Sequence, residues 1–237
     1  ASQWGHLEVV QYLIEEHGAN VEAKAKNEWS LLHFACNWDR LEVVKYLVEE
    51  KGANTEAQDK NRRTPLHFAS KRGHLEVVQY LCNHGVNVEP QDKDGCTPLY
   101  MASNTANEGG SVLRYHTPDK GHWEVVMRLI DHGAAVETQN KDGNTPLHFA
   151  CKEGRLEVVR CWDQQTGANA LKTQGKHGLT PLHYAVKNRH MSIVQYLVEH
   201  HGINVVETPC DNNGCTPLHL AILNQDRNMV RYLVAHN

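Results

Sequence analysis

Histidine and cysteine are the residues through which this sequence could most readily do chemistry, since its 237 residues include 17 histidines and 7 cysteines. Both side chains serve as nucleophiles, general bases or metal ligands. The densest group lies near the C-terminus, where His200 and His201 precede Cys210 and Cys215, and these are side-chain types that bind zinc. Their spacing matches no metal, phosphate-loop or nucleophile motif. The sequence therefore predicts no enzyme, no catalytic residue, no metal site and no cofactor.

Five of the histidines instead lie in a repeated phrase, Thr-Pro-Leu-His-x-Ala. Copies of this phrase begin at Ser30, Thr64, Thr97, Thr145, Thr180 and Thr216. The first copy is degenerate, and the third has tyrosine in place of histidine. The spacings between successive copies are 34, 33, 48, 35 and 36 residues. Self-similarity with a period in the low thirties is the signature of stacked repeats, so we predict that these histidines are structural.

One copy shows the elements that must position these side chains. Thr64 is a good helix N-cap, and Pro65 suits the first helical position, where its missing N–H costs nothing. These signals predict a first helix over about 65–71, which Gly73 ends with a backbone freedom that other residues lack. Apolar residues at helical spacing then predict a second helix over about 75–83.

Two further landmarks accompany the phrase along the chain. A Gly-His-Leu-Glu-Val-Val run or its variant begins at Gly5, Gly73 and Gly121, and a Gly-Ala-Asn or Gly-Ala-Ala run begins at Gly18, Gly52, Gly133 and Gly167. Together these features resemble the ankyrin repeat over nearly the whole chain. The resemblance implies an all-α repeat solenoid of paired antiparallel helices linked by β-hairpin loops. About six phrase-anchored repeats would follow an N-terminal partial repeat.

The resemblance also implies a single domain over residues 1–237. Its repeats would span 1–24 (partial), 25–58, 59–91, 92–139, 140–174, 175–210 and 211–237 (truncated). The spacing of 48 residues places an insertion near 104–119, which is either a solvated loop or part of a binding face. Neither end has the polar character of a capping repeat. We therefore expect a fragment of a larger protein, with end-to-end self-stacking through the uncapped terminal repeats.

The composition disfavours several kinds of partner. A net charge of −4 and a pI of about 6.5 give no overall attraction to nucleic acid or to a membrane surface. No apolar run reaches the roughly 18 residues that a transmembrane helix needs. The cysteines are odd in number and follow repeat positions, which suits a reducing compartment. We expect a cytoplasmic location, with the nucleus as an alternative.

Two hairpin tips break the repeat pattern. Glu28 and Arg62 stand where other repeats have glycine, at a position that favours a positive φ. Losing glycine there costs on the order of 1 kcal/mol unless the turn is rebuilt, for example around Asn27 and Asn61. A residue that breaks a local rule is a candidate for function, and neutral drift in a tolerant turn is the alternative.

In the family that this chain resembles, ankyrin repeats contact their partners with the hairpin tips and first helices that line a concave face. Carried over slot by slot, the predicted partner-binding residues are Trp4, Trp29, Trp38, Lys60, Arg62, Arg63, Lys71 and Arg72. Tryptophan and arginine are frequent binding hot spots, and exposed tryptophan is unusual. The alternative is that Trp4 and Trp38 pack on each other or cover the N-terminal end. Trp123 and Trp162 occupy apolar helix slots and are predicted to lie in the core.

These residues favour a non-catalytic protein–protein interaction scaffold. Its partner would be another protein that offers an apolar anchor beside acidic groups. The alternative is nucleotide or RNA binding, with bases stacked on tryptophan and phosphates held by Arg62, Arg63 and Arg72. The small basic cluster and the negative net charge disfavour that alternative.

Overall fold

The computed structural model describes residues 1–104, 120–202, 207–210 and 214–236, and all regular secondary structure in these ranges is helical. The α-helices are α1 (Leu7–Glu15), α2 (Leu31–Asn37), α3 (Leu41–Lys45), α4 (Pro65–Arg72), α5 (Leu75–Asn83), α6 (Pro98–Ser103), α7 (Lys120–Asp131), α8 (Pro146–Glu153), α9 (Leu156–Thr166), α10 (Pro181–Lys187), α11 (Met191–His201), α12 (Pro217–Leu223) and α13 (Arg227–Ala235). A π-helical turn, Tyr46–Glu50, continues α3, and 3₁₀ turns occur at Ser2–Trp4, Gly167–Lys172 and Lys176–Gly178. The predicted all-α class is confirmed.

The contacts divide the chain into two compact units. The first comprises Ala1–Ala102 with Tyr115–Ala135, and the second comprises Ser103–Arg114 with Val136–Asn237. Within the first unit α2 packs on α4, and within the second α10 packs on both α8 and α12. Each unit therefore contains the stacked helix pairs that a repeat protein needs. The predicted insertion at 104–119 lies outside the described residues, apart from its first residue.

First helices begin with a cap that the phrase encodes. In α4 the backbone N–H of Thr64 donates to Nδ1 of His67 at 3.0 Å, and Pro65 occupies the first turn. At the start of α8 the N–H of Thr145 donates to Nδ1 of His148, also at 3.0 Å. The threonine cap and the proline were predicted from the sequence. The part that histidine plays in the cap was not.

The other ring nitrogen of the same histidines links one repeat to the next. Nε2 of His67 donates to the carbonyl of Cys96, and Nε2 of His148 donates to that of Leu179, each at 3.1 Å. Because Nδ1 accepts from a backbone N–H, each ring is neutral and carries its proton on Nε2. Burial lowers the pKa of both His67 and His148 to about 4. These histidines hold the stack together, in keeping with a structural role.

A second set of histidines stands at the start of the second helices. Nε2 of His74 donates to the carbonyl of Asn37 at 3.2 Å, and Nε2 of His190 donates to that of Lys152 at 2.8 Å. The His190 ring lies against Gly154, where an added Cβ would come within 2.7 Å of it. Gly154 also has a φ of 77°, so both the conformation and the close approach require glycine.

Apolar side chains between the helix pairs form the core of each unit. The largest fully buried side chains include Leu32, Leu47, Leu66, Leu81 and Leu129 in the first unit and Leu147, Trp162, Leu182, Ile193, Leu197 and Met229 in the second. Trp162 is therefore in the core, as predicted, and its indole N–H donates to the carbonyl of Val136 at 3.3 Å. Trp123, also predicted to be core, is only half-buried. It occupies the same position as Leu75, at the partly open start of a second helix, and Leu75 is half-buried too.

Candidate functional site

The loops between repeats form tight turns that stack on one another. In the first unit the backbone N–H of Lys60 donates to the carbonyl of Asn27 at 3.2 Å, and that of Lys93 donates to the carbonyl of Asn61 at 2.9 Å. Each bond joins one tip to the tip of the preceding repeat. The tips of this unit therefore form a ladder whose register is fixed by the backbone.

The two tips that lack glycine keep the glycine conformation. Glu28 and Arg62 both have a φ of 64°, close to the 78° of Gly95 at the same position of the next repeat. The turns are therefore not rebuilt around Asn27 and Asn61, as the sequence had suggested they could be. Each non-glycine residue there carries a backbone strain of about 1 kcal/mol.

A buried ion pair holds the tip that carries Arg62 in place. Nε and Nη2 of Arg63 donate to Oδ2 of Asp59 at 3.0 and 2.9 Å. The backbone N–H groups of Asn61 and Arg63 donate to the other oxygen of Asp59, both at 2.8 Å. Burial alone would raise the pKa of Asp59, but the bonds from Arg63 outweigh it and the pKa lies below its usual value. Arg63 is thus already neutralised and shapes the tip.

The Trp29 ring is not exposed at its hairpin tip but packs against aromatic rings. Its ring centroid lies 5.0 Å from that of Phe34 and 4.5 Å from that of Phe68, in edge-on arrangements. The guanidinium of Arg63 covers Phe68 at 4.7 Å from the ring centroid. Trp29 is therefore half-buried, and its indole N–H is enclosed without a hydrogen-bond acceptor in the described part of the chain. Trp29 and Arg63 are therefore not available for the base stacking and phosphate binding that the nucleotide-binding alternative needs.

The exposed aromatic side chains lie at the ends of the first helices. Trp4 is 66% exposed and Trp38 is 42% exposed, at equivalent positions of successive repeats. Neither makes a ring contact with another described residue, so they do not pack on each other. Arg72, at the same position of the next repeat, is exposed as well, and its Nε donates to Oδ1 of Asn37 at 3.3 Å. This bond tethers the arginine to the preceding repeat.

All eight predicted binding residues therefore lie in the first unit, but in two environments. Trp4, Trp38, Lys60, Arg62 and Arg72 are exposed, whereas Trp29, Arg63 and Lys71 are half-buried. Sequence reasoning missed two exposed lysines on the neighbouring tips, Lys26 and Lys93. The signal was available, because a lysine recurs at this turn position in successive repeats.

The C-terminal histidines and cysteines do not converge on one site. Nε2 of His201 lies 2.7 Å from Oδ1 of Asp163, and Cys210 is buried. Among the residues that the structure describes, no group of three or more metal-ligating side chains could hold a metal ion.

The described helices are all too short or too polar to cross a membrane.

Comparison with known proteins accounts for nearly the whole chain. A family model described as "Ankyrin repeats (3 copies)" matches residues 1–59, 51–120 and 163–237. A second, described as "Ankyrin repeats (many copies)", matches residues 112–161. No curated protein matches the chain.

Proposed function

Because the chain belongs to the ankyrin repeat family, whose repeats are in general protein–protein interaction modules, we propose that it is a non-catalytic scaffold for a partner protein. The binding surface is formed by the hairpin tips and first-helix ends of the first unit. It comprises Trp4, Trp29, Trp38, Lys60, Arg62, Arg63, Lys71 and Arg72.

The exposure of Trp4 and Trp38 at one repeated position carries this proposal. Covering such an indole removes on the order of 100 Å² of apolar surface from water, which contributes about 2–3 kcal/mol. Tryptophan and arginine are also the residue types that most often dominate binding energy. With Arg72 beside Trp38, the surface suits a partner that offers an apolar anchor and an acceptor group.

The eight residues divide into two roles. Trp4, Trp38 and Arg72 are exposed and are the direct contacts. Trp29 and Arg63 are held by Phe34, Phe68 and Asp59, so they position the surface instead of covering the partner. Lys60, Arg62 and Lys71 supply positive charge at its rim, where they steer an acidic partner.

Affinity capture with matched variants tests the proposal. The immobilised chain is exposed to lysate of cells that express it, in parallel with Trp4→Ala/Trp38→Ala/Arg72→Ala and with Glu153→Ala. Glu153 occupies the same first-helix position in the second unit, so its variant controls for the substitution itself. Circular dichroism and urea unfolding verify that all three proteins are folded. We expect a protein that is retained by the parent and by Glu153→Ala and is lost from the triple variant. If all three proteins retained the same partner equally, Trp4 and Trp38 would not belong to the binding site.

Self-association is a second interaction, and other exposed apolar side chains support it. The α1 helix exposes Val9, Tyr12 and Leu13, and the last helix pair exposes Ile222, Leu223 and Val234. We propose that copies stack through these apolar faces. Sedimentation velocity should show association that grows with concentration and weakens on Leu13→Asp; a monomer at every concentration would refute the stacking.

We also propose that the protein works in the reducing environment of the cytoplasm or nucleus. All seven of its cysteines lie in the described residues and none forms a disulfide there, and all but Cys215 are buried. Burial raises the pKa of Cys36 and Cys151, which keeps these thiols protonated and unreactive. Alkylation of the native protein should therefore modify Cys215 first.

A further inference from the structure

Three lysines recur at one turn position in the hairpin tips of the first unit. Lys26, Lys60 and Lys93 are exposed, and none of them forms an ion pair within the described ranges. Arg62, on the same tip as Lys60, is exposed and likewise unpaired there, and it keeps a strained φ of 64°. Strain of this kind collects at functional sites. The lysine row, defined as Lys26, Lys60 and Lys93, thus concentrates positive charge on a chain whose net charge is −4.

In the second unit the same turn neutralises one lysine, Lys176. Nζ of Lys176 lies 3.1 Å from Oδ1 of Asp142, which stands on the preceding tip. In the first unit, Asn27 and Asn61 occupy the position of Asp142. Their amides carry no charge, so the lysines of the following tips have no anion to pair with. Lys60 and Lys93 are thus left without a counter-charge by the residue type at a position where an aspartate pairs the lysine of the following tip in the second unit.

The repeat gives the lysine row a regular spacing. Packed helices lie roughly 8–10 Å apart, and the hairpin tips follow the helix pairs to which they are joined. A polyproline-type extended chain rises about 3.1 Å per residue with three residues per turn, or about 9 Å per turn. Every third side chain of such a segment would therefore face the next lysine of the row.

We propose that the lysine row binds an extended acidic segment of a protein whose carboxylates recur at every third residue. The inference rests on the proposed protein-binding function and specifies its partner. One exposed ion pair contributes little, but several pairs held in register by one segment reinforce each other. The segment lies along the tips, beside the surface formed by Trp4 and Trp38.

Acidic residues on the same tips favour such a segment over nucleic acid. Glu28 and Asp94 are exposed on the same tips and would repel a continuous polyanion. A segment whose carboxylates are separated by neutral residues avoids both.

Two labelled peptides of identical composition test the spacing. One carries four glutamates separated by pairs of prolines, and the other carries the same glutamates in one run. Fluorescence polarisation measures the affinity of each for the chain at low salt, where exposed charges act over about 10 Å. We expect the spaced peptide to bind at least about fivefold more tightly than the contiguous one.

A charge-matched pair of variants tests the site. Asn27→Asp/Asn61→Asp copies Asp142 onto two tips and should neutralise the lysines that follow. Asn54→Asp/Asn87→Asp adds the same charge on the same unit, at exposed positions where an aspartate can keep the side-chain bond to the N–H two residues on. The first variant should lose about tenfold in affinity for the spaced peptide, and the second less than about twofold.

Four results would overturn the inference. They are equal binding of the two peptides, no binding of either, an equal loss in the two variants, and tighter binding of a single-stranded oligonucleotide than of the spaced peptide. Capture with the Trp4→Ala/Trp38→Ala/Arg72→Ala variant is run in parallel. If a partner is still lost from that variant while the peptides fail, the protein-binding function stands and only its acidic specificity is refuted.

Discussion

The two units place different side chains at the same position near the end of the first helix. In the first unit Trp38 and Arg72 are exposed there. In the second unit Nδ2 of Asn188 donates to the carbonyl of Tyr184 at 2.8 Å, and Nδ2 of Asn224 donates to a carbonyl of the preceding repeat at 3.2 Å. In these repeats of the first unit the position carries large side chains that extend into solvent, whereas in the second unit it carries short amides that bond backbone carbonyls. The repeat therefore fixes where a side chain stands, and the residue type decides how much apolar or charged surface it offers to a partner.

The hairpin tips repeat the contrast in charge. Lys176 of the second unit is paired with Asp142 at 3.1 Å, whereas Lys93 of the first unit follows a tip that carries Asn61. Both units share the same turn geometry. Binding specificity should then depend on a few side chains, while stability depends on the features that the units have in common.

Acid should weaken both units, because both contain buried histidines. Burial lowers the pKa of His67 and His148 from 6.5 to about 4 in the folded chain. Between these values the unfolded chain binds more protons, so stability that is present at neutral pH is lost as the pH falls from about 6.5 towards 4. The slope is about 1.4 kcal/mol per pH unit for each histidine. Urea unfolding followed across this range should show the midpoint falling, and an unchanged midpoint would contradict the assignment of neutral rings.

The two ion pairs should differ sharply in their effect on stability. Arg63→Ala leaves the fully buried carboxylate of Asp59 without its counter-charge and should cost about 3 kcal/mol. Lys176→Ala breaks a pair that is about half exposed on each side and should cost less than about 0.5 kcal/mol. Urea unfolding of the two variants makes the comparison. Similar costs would show that Asp59 is less enclosed than the structure indicates.

Within the first unit, two tryptophans should separate stability from binding. Trp29→Ala removes a ring that packs on Phe34 and Phe68 and should lower the free energy of unfolding by about 2 kcal/mol. Trp38→Ala truncates an exposed side chain and should change stability by less than about 0.5 kcal/mol while weakening partner capture. The assignment of roles fails if Trp38→Ala is the more destabilised of the two.

A smaller contrast is expected from the backbone of the tips. Arg62→Gly should raise stability by about 1 kcal/mol, because it removes a side chain from a φ of 64°. Gly143→Ala, at the same position in the second unit, should lower stability by about as much. Its added Cβ would meet no atom closer than 3.8 Å, so only the backbone conformation is affected. Changes of the same sign in the two variants would argue against strain at this position.

Features that depend on local chemistry could be predicted from the sequence. Thr64 and Pro65 set the start of α4 through their own backbone properties, and Gly73 ends it at a φ of 73°. The spacing of the phrase then gave the repeat, and the apolar slot of Trp162 placed that residue in the core. Each of these follows from a few neighbouring residues and from periodicity.

Features that depend on the neighbouring repeat could not be predicted from the sequence. Trp29 occupies a tip slot, and only the position of Phe68 in the next repeat shows that its ring is inserted. From the sequence alone Arg63 is a free cation, and only the fold shows its ion pair with the buried Asp59. Lys26 and Lys93 were visible as turn residues, but their lack of counter-charge appears only beside the pair of the second unit.

Site-specific photocrosslinking tests most directly whether the first unit is the binding surface. A photoreactive phenylalanine derivative replaces Trp38 in one variant and Glu153 in another, so the probes occupy the same repeat position in the two units. Irradiation in cells followed by mass spectrometry then identifies what each probe touches. We predict that the probe at position 38 crosslinks one defined partner protein and that the probe at position 153 does not. Crosslinking of the same partner from position 153 alone, or from both positions equally, would contradict the account.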